Sequence, residues 1–184
     1  LQPRLVSDPN RNQTEVAYDT LGLVVGTAVM GKPLPATPQG DSLDGFKADL
    51  SHDDLLGFFD VEDPTAKAEA LLQRATTRIV YDLDRFRRTR NDHPDHPEMW
   101  QPACTATIAR ETHLHSTLPP QGLKFQLTFS YTDGFGREAQ KTIQAEPGPV
   151  PQRDASGGII VGADGQPVMT SHAVSPRWVG SGWT

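Results

Sequence analysis

The residues best suited to chemistry in this 184-residue chain come in small groups. Asp92, His93, Asp95 and His96 fall in one Asp-His-Pro-Asp-His-Pro run. Imidazole and carboxylate together can hold zinc or another divalent ion. Pro94 and Pro97 keep that run extended, and no helix or strand fixes a third ligand, so a solvated loop is the simpler reading. His113 and His115 stand two apart and would share one face of a strand, with Glu111 as a third donor. An exposed strand end running into Thr117-Leu118-Pro119-Pro120 accounts for them more simply. Asp53, Asp54, Asp60, Glu62 and Asp63 could in principle supply a carboxylate pair of the glycosidase kind. They cluster at predicted helix starts, where acids cap free N–H groups and favour the helix dipole. Trp100, Trp178 and Trp183 could stack on a sugar; Trp178 and Trp183 flank Gly180-Ser181-Gly182 and fit packing at a sheet corner better. A glycan- or protein-binding module is the alternative reading that these tryptophans keep open.

Other chemistries find no motif. The chain has no glycine-rich phosphate loop, no Gly-x-Ser-x-Gly elbow and no His-Glu-x-x-His. Cys104 is the one cysteine, so an internal disulfide and a cysteine zinc site are excluded, and its strand-like neighbours predict a buried, inert thiol. No catalytic residue, cofactor site or metal site is assigned, and the chain is not expected to be an enzyme. A formal charge of -6 argues against a general grip on nucleic acid or anionic membrane. The short basic cluster Arg85, Arg87, Arg88 and Arg90 reads as a solvated strand end.

The elements that must position these groups are mostly strands. Thr14, Val16 and Tyr18 alternate with Glu15, Ala17 and Asp19, the period of a half-buried strand. Asp19-Thr20-Leu21-Gly22 reads as a turn, and Leu23 to Met30 as the returning strand of a first hairpin. The proline-rich stretch from Gly31 to Gly40, with Pro33, Pro35 and Pro38, reads as a loop. Ser51-His52-Asp53-Asp54 can cap a short helix, and Asp63-Pro64 can start a second, so a helical insertion is expected over about 51–75. Thr77, Ile79, Tyr81 and Leu83 then form one face of a strand, with Arg78, Asp82 and Asp84 on the other and Val80 as the exception. Mobile loops are expected over about 91–102 and 147–158. Between them lie a strand from Cys104 to about Leu114 and a hairpin. In that hairpin Phe125, Leu127, Phe129 and Tyr131 lead in and Thr132-Asp133-Gly134-Phe135-Gly136 turns. Ala139, Ile143 and Ala145 return on the inner face. A small flap is expected around Ile159-Ile160-Val161, and a last strand over Arg177 to Val179. The fold class is mainly β, with antiparallel hairpins and one or two short helices, as part of a larger sheet shell or a sandwich.

Three of these places line up. Tyr18-Asp19-Thr20-Leu21-Gly22, Tyr81-Asp82-Leu83-Asp84 and Tyr131-Thr132-Asp133-Gly134-Phe135-Gly136-Arg137 resemble degenerate Tyr-Asp (YD) repeats. The longer runs Asp8 to Val16, Val25 to Lys32, Ala109 to His113, Gln144 to Pro149 and Arg177 to Thr184 resemble the central part of Rhs-type proteins. These are the B components of Tc (toxin-complex) insecticidal toxins and the SpvB-like proteins. The resemblance implies a structural role: a stretch of a hollow β-sheet shell that encloses a toxic polypeptide in a secreted bacterial complex. Its partners would be neighbouring segments of the same polypeptide, other toxin-complex subunits and the enclosed toxin. The residues carrying that role would be the turn and packing residues Tyr18, Asp19, Gly22, Tyr81, Asp82, Tyr131, Asp133, Gly134, Gly136 and Trp178. The chain opens on Leu1 rather than Met, and Arg177 to Trp183 reads as a strand, a turn and a further strand start. Residues 1–184 are therefore expected to be one β-rich segment excised from a larger protein. No stretch resembles a signal peptide or a membrane-spanning run.

Overall fold

The computed structural model describes residues 2–33, 39–120 and 124–181; the expected roles of Pro35, Pro38 and Trp183 fall outside them. Eight antiparallel strands pair in chain order, each with the next. They are β1 (Leu5–Ser7), β2 (Gln13–Tyr18), β3 (Val24–Gly31), β4 (Thr77–Asp82), β5 (Cys104–Arg110), β6 (Phe125–Thr132), β7 (Glu138–Ala145) and β8 (Arg177–Gly180). The chain leaves the sheet between β3 and β4 to form α1 (His52–Phe59) and α2 (Thr65–Leu72), and between β4 and β5 to form α3 (Arg85–Asp92). A single 3-10 turn follows α3 over Pro97–Met99. The fold is thus mainly β, and among the described residues the two helices of the expected insertion are joined by a third, α3.

Local chemistry explains the first helix. Ser51 Oγ accepts the Asp54 N–H while the Asp54 carboxylate accepts the Ser51 N–H, a reciprocal capping box. The Ser51 and Lys47 bonds hold the Asp54 carboxyl down at about 2. The second helix starts beside Asp63, whose Oδ1 accepts the Thr65 N–H at 2.9 Å.

Both helices lie on one face of the sheet. Paired residues show which side chains they cover: Arg78 opposite Ile108, Val80 opposite Ala106 and Asp82 opposite Cys104 across β4 and β5. Across β5 and β6, Ile108 faces Leu127 and Ala106 faces Phe129. Phe58 and Phe59 of α1 and Ala68 and Leu72 of α2 pack onto this row with Ala75. Phe129 joins the two phenylalanines at 6.1 and 6.0 Å and meets Trp178 of β8 edge-on at 5.2 Å. Burying each such side chain contributes roughly 1.5–3 kcal/mol.

Four expectations change here. On β4 the alternation holds but the sides are exchanged: Arg78, Val80 and Asp82 are buried, while Thr77, Ile79 and Tyr81 are half-exposed. The charged face lies under the helical layer because every charge on it finds a partner. On β7, Thr142 pairs with Phe129 and Ile143 with Thr128, so Ile143 sits on the uncovered side with Lys141. The basic cluster is helical rather than a strand end, because Asp84 pairs with Arg87 and Asp82 anchors Arg88, and arginine itself favours helix. Finally, β5 ends at Arg110 rather than near Leu114, since Arg110 turns its side chain to the carbonyls of Ala75 and Gln73.

The uncovered face carries Thr27, Thr77, Ile79, Tyr81, Thr105, Thr107, Thr128, Ser130, Lys141 and Ile143, all partly exposed. The segment after β7 forms the small flap, with bridges Gly148–Val174, Pro151–Met169, Arg153–Ile159 and Val161–Pro167.

Gly26 of β3 marks a close approach between the sheet and the segment that covers it. A Cβ placed there would lie 2.4 Å from Cζ of the Phe46 ring, and the Arg78 guanidinium covers that ring at 4.5 Å. Gly26→Ala should cost about 1–3 kcal/mol in chemical denaturation, and adding Phe46→Leu should recover part of the loss. Parent-like unfolding of Gly26→Ala would contradict this packing.

Candidate functional site

Two features organise the polar side chains: a repeated aspartate-led turn and a buried carboxylate where strands enter and leave the sheet.

In the turn, an aspartate at position i donates its backbone N–H to the carbonyl of residue i+4, its carboxylate accepts N–H groups of the loop, and residue i+3 takes positive φ. Asp19 Oδ1 accepts Leu21 N–H at 2.9 Å and Leu23 N–H at 2.8 Å, and Gly22 has φ +80. Asp133 Oδ1 accepts Phe135 N–H at 2.8 Å and Arg137 N–H at 3.3 Å, and Gly136 has φ +82. Arg137 also pairs with the Asp133 carboxylate, and these bonds hold that carboxyl below the usual range. The backbone reversal needs a left-handed residue, which glycine supplies without the Cβ clash. Asp154 builds the same turn in the flap, with bonds from Ser156 and Gly158 and with Gly157 at φ +85. Asp8 builds it between β1 and β2, with Asn12 N–H at 2.8 Å and Arg11 at φ 70. Sequence reasoning singled out Asp19 and Asp133 and missed the role of Asp8 and Asp154. The common signal is Asp-x-x-Gly, present at Asp19, Asp133 and Asp154 and altered to Asp-x-x-Arg at Asp8.

The three Tyr-Asp places are not equivalent. Tyr18 donates its hydroxyl to Pro3 O at 3.1 Å, and Tyr81 donates to Val24 O at 2.9 Å, so both tie neighbouring strands. Tyr131 stands opposite Cys104 at the covered face, and burial raises its pKa. Asp82 does not lead a turn. It is 1% exposed and accepts two bonds from Arg88 of α3, at 3.1 and 2.8 Å. Gly134 has φ +84 in the same loop as Gly136. Trp178 packs in the aromatic cluster.

The buried carboxylate is Asp41, which sequence reasoning did not single out. It is 3% exposed and lies just past β3. Its Oδ2 accepts the Thr76 hydroxyl at 2.6 Å and His113 Nδ1–H at 2.8 Å; its Oδ1 accepts Leu114 N–H at 2.7 Å, with Arg110 Nε at 3.6 Å. Thr76 Oγ1 in turn accepts Val29 N–H at 2.8 Å, and Asp41 N–H donates to Val29 O at 2.8 Å. Burial pushes the carboxyl up, but the Thr76, His113 and Leu114 bonds outweigh it, and the net direction is down. His113 and His115 therefore serve as ties, His115 through Gly40 O at 2.9 Å. Among the described residues no group of three or more His, Cys, Asp or Glu could hold a metal ion. His93 and His96 precede the 3-10 turn: the His93 carbonyl accepts the Trp100 indole N–H, and His96 pairs with Glu98. Burial pushes the Cys104 thiol up to about 12, which removes it as a nucleophile at neutral pH.

This architecture is an antiparallel meander covered on one face by helices and laced by polar ties. No protein-family model matches the sequence, and no curated protein matches it. Solved structures share the fold. The Tc holotoxin pore of Photorhabdus luminescens, in a TccC3 variant, aligns with 99% of this chain and 10% of its own, with TM-score 0.61 and 17% identity. A TcdB2-TccC3-TEV crystal structure aligns with 100% of this chain and 10% of its own, at the same TM-score and identity. The fold is similar to that of a segment of each of these toxin structures, and the chain spans about a tenth of the length of those it matches.

The Asp41 site has a signed pH consequence. A carboxyl held below its ordinary pKa stabilises the fold above that value, and the contribution is lost as pH falls through the folded-state pKa. Asp41→Asn should lower stability by about 2–4 kcal/mol at neutral pH, and the gap to the parent should close below about pH 4. Denaturant melts of both proteins across pH test this; equal stability at neutral pH would contradict it.

Proposed function

We propose that this chain is a non-catalytic wall segment of a Tc-type, Rhs-like bacterial toxin shell that encloses a toxic polypeptide. The observation that carries the reading is the full-length likeness to Tc toxin structures. The distribution of side chains supports it. One face of the sheet is sealed by helices, while the other is a threonine- and serine-rich surface suited to line a wet interior. The outer strands agree: Leu5, Val6 and Val179 are 53%, 50% and 50% exposed at the two edges of the sheet. Such edges offer free N–H and C=O groups to further strands. Partners in this reading are adjoining strands of a longer polypeptide, other toxin-complex subunits and the enclosed toxin, in a secreted assembly. Among the described residues no helix is long and apolar enough to cross a membrane.

The test is solution mass by light scattering, first of the chain alone and then with the adjoining segments of its parent polypeptide. Concentration-dependent self-association, replaced by a stable complex when those segments are added, is the expected result. A monomer that ignores them would overturn the wall reading in favour of an autonomous binding module.

A further inference from the structure

The connection between β4 and β5 builds a groove that the wall reading does not use. Phe86, Arg87, Arg90 and Asn91 of α3 form one side, Pro94 and Trp100 the other, enclosing about 730 Å³. That is room for side chains of a bound segment. The indole of Trp100 is fixed, because its N–H donates to His93 O at 2.8 Å. Phe86 meets the indole edge-on at 6.0 Å and remains 44% exposed.

The arginines of α3 differ in what they hold. Arg88 is neutralised by Asp82 and Arg87 by Asp84. Arg90 has no carboxylate partner among the described residues; its guanidinium stands 5.4 Å from the centre of the Trp100 ring. A guanidinium held over an aromatic ring leaves its N–H donors available to a ligand. A carboxylate fills such a fork with two parallel hydrogen bonds. An apolar side chain next to that carboxylate would land on Phe86.

We infer that this groove docks an acidic peptide segment of a partner protein, with a carboxylate on Arg90 and a neighbouring apolar side chain on Phe86. Single-stranded nucleic acid also pairs arginine with aromatic rings. With Arg87 and Arg88 already paired, a single free guanidinium remains on α3, enough for one carboxylate and too little for a run of phosphates. The inference does not rest on the wall reading.

The probe is a short fluorescent peptide alternating Glu and Leu, titrated with the chain in an anisotropy assay. Its Lys-Leu counterpart and a short oligothymidylate serve as competing ligands. Saturable binding of the Glu-Leu peptide is expected, weakened about tenfold by Arg90→Ala and by Phe86→Ala, and not restored by Arg90→Lys. Both side chains are solvent-facing, so the variants should melt with the parent, and thermal unfolding is recorded for each. No binding of the Glu-Leu peptide overturns the proposal. So does equal binding by folded Arg90→Ala and Phe86→Ala, or tighter binding of the Lys-Leu peptide or the oligothymidylate.

Discussion

One carboxylate holds together the place where the chain leaves the sheet and returns to it. Asp41 binds Thr76 at the start of β4, His113 and Leu114 past the end of β5, and the backbone of Val29 in β3. Three central strands and the path into the helical layer therefore share one buried anion. A buried charge is stabilising only when its acceptor sites are filled, and removing a partner leaves the desolvation cost behind. The arrangement ties register to composition: a shift of β4 by one residue would carry Thr76 away from Asp41 and put Arg78 on the open side.

The same logic runs across the covered face. Arg78, only 2% exposed, donates to Lys47 O at 2.6 Å and Ala48 O at 3.2 Å and stacks on Phe46; burial draws its pKa down to about 10, so it stays cationic. Its Nε has no hydrogen-bond partner among the described residues. Arg110 caps Ala75 O and Gln73 O beside the left-handed Gln73, and Asp82 closes on Arg88. Helices are thus fastened to the sheet by charged side chains that cap loop carbonyls, with the aromatic cluster of Phe58, Phe59, Phe129 and Trp178 supplying the apolar share.

This explains what was legible in the residues. The hairpins around Asp19 and Asp133 follow from alternation and from a left-handed glycine, and the α1 start follows from a capping box; each signal is local. On β4 charge points to exposure, and on β7 the apolar Ile143 points to burial; the structure reverses both. Arg78 and Asp82 are buried by partners 30 residues away in one case and on the next helix in the other. Helix α3 has no apolar period, so only its ion pairs announce it. Asp41 lies beside a proline-rich stretch, and its partners sit 35 to 73 residues along the chain. The Asp-x-x-Gly spacing, by contrast, was available, and it unites turns that Tyr-Asp dipeptides group wrongly, since Asp82 is not a turn residue.

The account stands on a sheet sealed on one side and open on the other, and strand β5 offers both sides within three residues. Cys104 is 1% exposed on the covered face, and Thr107 lies on the open face. The most direct measurement is the rate of thiol labelling in the native protein, comparing the parent with Thr107→Cys. The account predicts that Cys104 stays unlabelled until unfolding while the thiol at position 107 reacts promptly. Protection at position 107 equal to that of Cys104, or ready labelling of Cys104 in the folded parent, would contradict it.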